Sequence, residues 1–335
     1  MRKPARFAAT FVGGISAIAL TGGLLFAGDA RPLPRASSLA GFPSAPAASP
    51  PATIDPTPSL GVTPVPMDDH FLIGAGDICV GYAIKNARAT ANLIEAEPRA
   101  QVFTLGDNSN EEGTASQYSR CYGDTWGRLL YRTRAIVGNH DLKTAAGAPY
   151  YDYFGAAAGP AGLGYYSYDL ADNWHVIVLN SECATIGGCE AGSPEETFLR
   201  NALAAHPGRH FIAMWHHPLF SSGLAGDDAD FVAWWNDLYA AHAEIVLNGH
   251  DHDYERFSQQ SSYGLASPDG IREFVVGTGG ATLRGFHVLK PNSEKRVEGR
   301  FGVLFLTLNP HSYSWRFIPV VGRLALDTGI QSTHG

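Results

Sequence analysis

What the chain has little of narrows its chemistry. Four cysteines among 335 residues are too few for a disulfide scaffold, and no Cys-x-x-Cys pair is present to suggest a zinc ribbon or a thioredoxin-like site. Charge is scarce as well: 17% of residues are charged, with Lys+Arg 24 against Asp+Glu 32 and a formal net charge of -8. No Lys/Arg block occurs beyond the first six residues, so the footprint of a duplex-binding protein is missing and nucleic acid is not expected as a structural partner. Familiar loops are incomplete too. Gly74-Ala75-Gly76 carries Cys79 where a dinucleotide fingerprint needs its third glycine. Asp107-Asn108-Ser109-Asn110 opens like a calcium loop, but Glu112 stands at the glycine position and Tyr118 at the final Glu position. His250-Asp251-His252-Asp253 is followed by Tyr254, which leaves the HxHxDH pattern of metallo-β-lactamase-like hydrolases unfinished.

What is present begins with a targeting pattern. Arg2, Lys3 and Arg6 precede an uncharged run over 7–28, and Gly28-Asp29-Ala30 offers a small-x-small cleavage site. Residues 1–30 therefore read as an export signal, or as a retained membrane anchor, since such a run could span about 30 Å of hydrocarbon. No Arg-Arg pair supports a twin-arginine route. From Arg31 to Pro66 ten of 36 residues are proline and aliphatic periodicity is almost absent, so 31–68 reads as a Pro/Ala/Ser-rich linker in which no core can form.

Beyond residue 69 short apolar runs alternate with helical stretches and glycine-rich turns. Buried strands are expected over 70–73, 101–105, 134–137, 175–179, 211–215 and 245–247, and later ones over 274–276, 303–308 and 314–318. Helices are expected over 83–96, 115–130, 194–205 and 229–241, the third with Ser193 as N-cap, Pro194 in the first turn and Glu195 and Glu196 against the dipole. The pattern is that of a layered, mixed α/β domain over 69–321, followed by a tail, 322–335.

Polar residues gather just after the strands: Gly76-Asp77, Gly106-Asp107-Asn108, Gly138-Asn139-His140-Asp141, His216-His217-Pro218 and Gly249-His250-Asp251-His252. A single Gly-Asp is usually a turn, and a single Gly-His-Asp-His a surface loop. Five in series, each after a buried strand, can converge outside the carboxyl ends of a sheet. Imidazole and oxygen donors with a shared carboxylate suit two cations about 3.5–4 Å apart, an arrangement for phosphoryl displacement.

This ordered set resembles the calcineurin-like metallophosphoesterase superfamily, and the flanks resemble its bacterial purple-acid-phosphatase-related branch. Those flanks are 165–170 (Tyr-Tyr-Ser-Tyr-Asp-Leu), Leu179-Asn180-Ser181, 249–257 and 276–280. The resemblance spans about 70–320. It implies a four-layer αββα sandwich, two central mixed β-sheets flanked by helices, with 69–321 as the catalytic domain. It also implies two metal ions (Fe, Mn or Zn), with Asp77, Asp107 and His252 around one, Asp107, Asn139, His216 and His250 around the other, and Asp107 bridging. The implied activity is that of an exported, secreted or cell-surface enzyme hydrolysing phosphomonoesters, with a small phosphorylated substrate attacked by a metal-bound hydroxide. Contact with a membrane is expected only through the N-terminal segment. His140 corresponds to the family's acid for the leaving oxygen, with Asp141 or another carboxylate orienting it. A phosphodiesterase, or a binding module with an altered and inactive site, are the other readings.

The sequence departs from the purple enzymes in two places. Their metal-binding Tyr, three residues after the bridging Asp, is Asn110 here, and no histidine occurs in 219–230 to match their second catalytic His. Tyr118 or Tyr122 would have to fold back to replace the phenolate. Cys79 stands where other members carry a metal-binding His; either a thiolate ligand or a disulfide to Cys121 fits, and Cys183 would pair with Cys189. Strand alternation from Phe211 sends His217 away from the site.

Overall fold

A computed structural model describes residues 66–109, 111–322 and 324–335. The leader over 1–30, almost all of the linker, and Asn110 lie outside the described residues. No described helix is long and apolar enough to cross a membrane.

The first half supplies β1 (Phe71–Ala75), α1 (Lys85–Glu95), β2 (Gln101–Thr104), the single turn α2 (Ala115–Gln117), β3 (Thr133–Arg134), α3 (Ala148–Phe154), β4 (Tyr166–Asp169) and β5 (Trp174–Val178). The second supplies α4 (Pro194–Ala205), β6 (His210–Met214), α5 (Val232–Ala240), β7 (Ile245–Asn248), β8 (Tyr254–Phe257), β9 (Arg272–Val276), β10 (Ser293–Val297), β11 (Gly302–Asn309), β12 (Ser312–Pro319) and β13 (Asp327–Ser332). Two mixed sheets result, with strand orders β13-β12-β11-β1-β2-β3 and β10-β8-β9-β7-β6-β5-β4. In the first, β1, β2 and β3 are parallel and β11 lies antiparallel to β1. In the second, β5, β6, β7 and β9 are parallel neighbours.

The period of two along each strand builds the layers. Val176, Val178, Ile212, Met214, Ile245 and Leu247 join Leu72, Leu304 and Leu306 in the core between the sheets. The alternate residues Ile177, Ala213 and Val246 face outward onto Leu199 of α4 and Trp234, Trp235 and Leu238 of α5. On the other side α1 buries Ala87, Thr90, Ala91 and Ile94, a stripe at helical spacing. This is the four-layer αββα arrangement. The start of α4 is as the sequence predicts: Ser193 Oγ accepts from Glu196 N (3.2 Å), with Pro194 in the first turn.

The strand expected over 134–137 is reduced to Thr133–Arg134, and α3, β4, β8 and β10 lie where no element is expected; two further stretches also differ. The helix expected over 115–130 is broken into α2, a wide turn over Tyr118–Tyr122 closed by Gly123 N donating to Tyr118 O (2.7 Å), and a tight 3-10 stretch, Trp126–Arg132. Gly123 and Gly127 weaken the regular helix, and the Cys79–Cys121 bridge ties its middle to the loop after β1. The expected tail, 322–335, contains β13, paired along β12. Its Asp327 carboxylate accepts from Tyr254 OH (2.7 Å), Arg256 Nε (2.7 Å) and Trp315 Nε1 (3.0 Å), so it fastens β8 of one sheet to β12 of the other. Gly329 lacks strand propensity, yet a Cβ there would lie 2.1 Å from the Trp315 ring, so only glycine lets the strand cross it.

Candidate metal centre

The parallel strands aim their C-terminal ends at one rim. Asp77 follows β1, Asp107 follows β2, Asn139 and His140 follow β3, His216 follows β6, and His250 and His252 follow β7. Backbone bonds sew these loops together across the sheets: Gly76 N donates to Val276 O (2.8 Å), Ala281 N to Asp77 O (2.7 Å) and Gly249 N to His216 O (3.0 Å). Asp77, Asp107 and His250 adopt φ of 58°, 50° and 68°, left-handed values that cost a non-glycine residue about 1–2 kcal/mol each. Hydrogen bonds hold them there: His250 N donates to Asp77 Oδ2 (2.8 Å) and His140 N to Asp107 Oδ1 (2.9 Å). Gly138 permits the close approach, since a Cβ at that position would sit 2.3 Å from Asp107 N.

Six of the eight residues singled out from the sequence meet in this rim. His216 Nε2 lies 3.4 Å from Asp107 Oδ1, 3.2 Å from Asn139 Oδ1 and 3.3 Å from His250 Nδ1. His252 Nε2 lies 3.1 Å from Asp77 Oδ1, and Asp77, Asp107 and His216 offer donor atoms within 4.8 Å of one another. His140 borders the group, with its Nε2 3.8 Å from Asp107 Oδ2 and its ring partly exposed.

The donor chemistry fits cations. His216 Nδ1 donates to Leu105 O (2.7 Å) and His252 Nδ1 to Thr282 O (2.7 Å), so in the neutral tautomers both Nε2 lone pairs point at carboxylates. Acceptors facing acceptors repel unless positive charge lies between them. The same demand is visible in the protonation of the bare site. Burial alone would lower the His216 imidazole, but the Asp107 and Asp77 carboxylates push it up to about 10. Burial would raise Asp107, yet His216, with His140, holds it below the ordinary carboxyl range. Burial, then neighbouring His216, pushes His217 down to about 3 and His250 down to about 2. His216, and His252 beside Asp77, are thus drawn toward the protonated form where a multivalent ion would bind more donors.

The other sequence-derived assignments fare differently. Asp141 does not orient His140: it is fully buried beneath the loops and accepts from Gly138 N (3.0 Å), Asn108 N (3.2 Å), Asn108 Nδ2 (2.9 Å), Ser109 N (3.1 Å) and the Tyr118 hydroxyl. His140 is held instead through Nδ1, which lies 2.8 Å from both Glu111 O and Lys143 Nζ. Cys79 is bonded to Cys121 and Cys183 to Cys189, so no thiolate is available as a ligand. Tyr118 is committed to Asp141, and Tyr122 is packed edge-on against Tyr153 and Phe154, so neither ring folds back onto the rim. Asp251 turns away from the histidines and anchors the next loop, accepting from Ser221 Oγ, Ala225 N (2.8 Å) and Gly226 N (3.2 Å).

His217 corrects the alternation argument. β6 ends at Met214, so the period of two no longer governs residues 216 and 217, and both rings face the rim. His217 Nε2 lies 3.3 Å from Asn139 Oδ1 and 3.5 Å from Glu182 Oε1, and its ring centroid is 4.0 Å from that of His250. Glu182, whose carboxyl burial raises above the ordinary range, follows the Leu179-Asn180-Ser181 flank directly. That adjacency was the available signal for it.

Comparisons with known proteins bear on the family and the fold. The family model described as "Calcineurin-like phosphoesterase" matches residues 72–254. Purple acid phosphatase 15 of Arabidopsis thaliana is 27% identical over 176 residues, 47% of this chain and 32% of that protein. Among solved structures, the purple acid phosphatase PPD1 of yellow lupin (Lupinus luteus) superposes with a TM-score of 0.65 at 18% identity, over 78% of this chain and 53% of that one. GAP50, the anchor in the inner membrane complex of Plasmodium, superposes with a TM-score of 0.62 at 13% identity, over 79% of this chain and 89% of that one. The chain therefore spans about a third to a half of the length of the purple acid phosphatases it matches.

Proposed function

The chain belongs to the calcineurin-like phosphoesterase family, and from that premise we propose that it is an exported, metal-dependent phosphoric ester hydrolase acting on phosphomonoesters. The observation that carries the reading is the convergence, from five strand ends, of Asp77, Asp107, Asn139, His216, His250 and His252 with contacts of 3.1–3.4 Å. Asp77, Asp107 and His252 would hold one ion, and Asp107, Asn139, His216 and His250 the other, the two drawn from iron, manganese or zinc. When bound, such a pair supplies Lewis acidity toward a phosphoryl oxygen and acidifies a nearby water.

The chain's own groups account for the rest. Asp107 has two carboxylate oxygens and can face both positions, while His140 N fixes Oδ1 from outside (2.9 Å). Asn139 contributes an uncharged oxygen, which limits the negative charge of the set. His140, partly exposed at the edge, can deliver a proton from Nε2 to the departing alkoxide while Nδ1 stays on the Glu111 carbonyl. Neutral His217, between Asn139 and Glu182, keeps the amide turned into the rim.

Export is supported by the basic and apolar pattern at the N-terminus and by both disulfides, which persist in oxidising compartments. The test is metal analysis of the purified full chain alongside hydrolysis of a nitrophenyl monoester and a bis-nitrophenyl diester, with Asp107→Ala as control. Two equivalents of metal, a monoester preference, and loss of both metal and turnover in Asp107→Ala are expected. Full metal content in Asp107→Ala would overturn the shared site, and a diester preference would move the protein to the phosphodiesterases. Sequencing of the mature N-terminus, expected near Arg31, tests export.

A further inference from the structure

Beside the site lies a guanidinium for which no described residue provides an ion-pair partner. Arg284 lies on the loop after β9, and its backbone N donates to His252 O (2.9 Å), which fixes it beside a candidate ligand. Its side chain is half-buried. The other half-buried arginines have partners: Arg209 meets Asp169 and Arg134 lies over the Tyr168 ring. Among the described residues the Arg284 guanidinium makes neither a hydrogen bond nor an ion pair.

A guanidinium stripped of part of its water and left unpaired is unfavourable by itself, and it is suited to a ligand that brings two coplanar oxygens. The rest of the rim is poor in such donors. Residues 219–230 contain no histidine, and Lys290, further along the same loop, is occupied by Asp227 (2.7 Å). Lys143, on the far side, is exposed and sits against His140.

We propose that Arg284 is the residue that selects a phosphomonoester: its guanidinium takes two non-bridging oxygens of the dianionic phosphoryl group beside the metal centre. The inference rests on the phosphoesterase reading above and deepens it. A diester carries one negative charge and has one non-bridging oxygen replaced by an ester oxygen, so it presents less charge to the fork. Arg284 thereby separates the two substrate classes, whereas the metal ligands serve both.

The experiment compares Arg284→Gln and Arg284→Lys with the wild type, as metal-loaded full chains. Inorganic phosphate is titrated calorimetrically, and kcat/KM is measured on the nitrophenyl monoester and bis-nitrophenyl diester. Arg284→Gln should bind phosphate at least ten-fold more weakly and lose about 10²-fold in kcat/KM on the monoester, the usual effect of deleting one preorganised donor. Its loss on the diester should be less than about five-fold, with metal content unchanged, and Arg284→Lys should recover part of the affinity but not the selectivity. Equal losses on both esters, or phosphate affinity unchanged in Arg284→Gln, would overturn the assignment; so would a fall in metal content that accounts for the lost activity. If the wild type hydrolyses neither ester, the phosphoesterase reading fails, and the phosphate titration still decides whether Arg284 holds the anion.

Discussion

Replacing Asp141 by Asn separates an anchoring role from a catalytic one. Oδ2 of Asp141 accepts from Gly138 N, Asn108 N and Asn108 Nδ2, and Oδ1 from Ser109 N and the Tyr118 hydroxyl. The best placement of an asparagine puts its oxygen at the Oδ2 position, which turns the amide NH₂ toward Ser109 N and Tyr118. The hydroxyl can rotate to accept from it, but the Ser109 N–H cannot. One buried donor is then left bare, at about 1–3 kcal/mol, and the remaining three bonds lose their charge assistance. Burial, and then the nearby Asp107 charge, push the Asp141 carboxyl above its ordinary range, so part of that assistance is already offset. A net destabilisation of about 2–4 kcal/mol follows, which for a domain of this size lowers Tm by about 5–12 °C. Thermal unfolding of the metal-loaded protein, with metal content and rates on good and poor leaving groups, is the assay. Asp141→Asn should unfold earlier and bind metal more weakly, while whatever activity survives keeps the wild-type leaving-group dependence. A Tm within about 2 °C of wild type, with losses concentrated on poor leaving groups, would mean that Asp141 works with His140 after all.

Further outcomes follow from the same geometry. His140→Ala should retain metal and slow hydrolysis about 10²–10⁴-fold for poor leaving groups, with smaller losses for nitrophenolate; equal losses on both would remove it from the acid role. The Cys79–Cys121 bridge closes a separation of 42 residues and Cys183–Cys189 one of 6, so Cys→Ser pairs should cost about 4 and about 2 kcal/mol respectively in denaturant melts. The reverse order would show that strain or residual structure outweighs chain entropy. Glu195 is buried with Oε2 unpartnered, and burial pushes its carboxyl up to about 8. The unfolded chain releases that proton near 4.5 while the folded one keeps it, so wild-type stability should fall as pH rises from about 5 to 8. Glu195→Gln should remove that part of the slope, and an unchanged slope would place the titration elsewhere. The iron-loaded protein should lack a strong visible band, because burial and the Asp141 carboxylate raise the Tyr118 phenol far above its ordinary value and keep it from becoming a phenolate ligand. A band that disappears on changing one tyrosine would contradict this.

The strands were legible because they are continuous apolar runs, and the candidate site because glycine followed by a carboxylate, amide or imidazole recurs after four of them, with His-His-Pro after a fifth. What stayed hidden was set by partners distant in sequence. β13 has a glycine and one isoleucine where a strand wants branched residues, and only the Trp315 ring across from Gly329 explains it. The break in the helix expected over 115–130 depends on where Cys121 finds Cys79. His217 illustrates a different failure: alternation is a property of a paired strand, and it lapses one residue beyond the last ladder bond. Arg284 gave no local signal, since its meaning lies in the partners it lacks.

The placement of β1 carries a consequence for how the protein comes into being. Its parallel neighbour β2 emerges within about thirty residues, but its other edge is covered only when Phe71 meets Thr307 on β11. During synthesis the strand that presents Asp77 therefore waits, half-paired, for the last tenth of the polypeptide. Such long-range closure slows folding and leaves the apolar edge of β1 open to wrong partners meanwhile. Assembly of the candidate ligand set is correspondingly late: a nascent chain released between His252 and β11 would carry the histidines and carboxylates of the rim with the strand that presents Asp77 still half-paired.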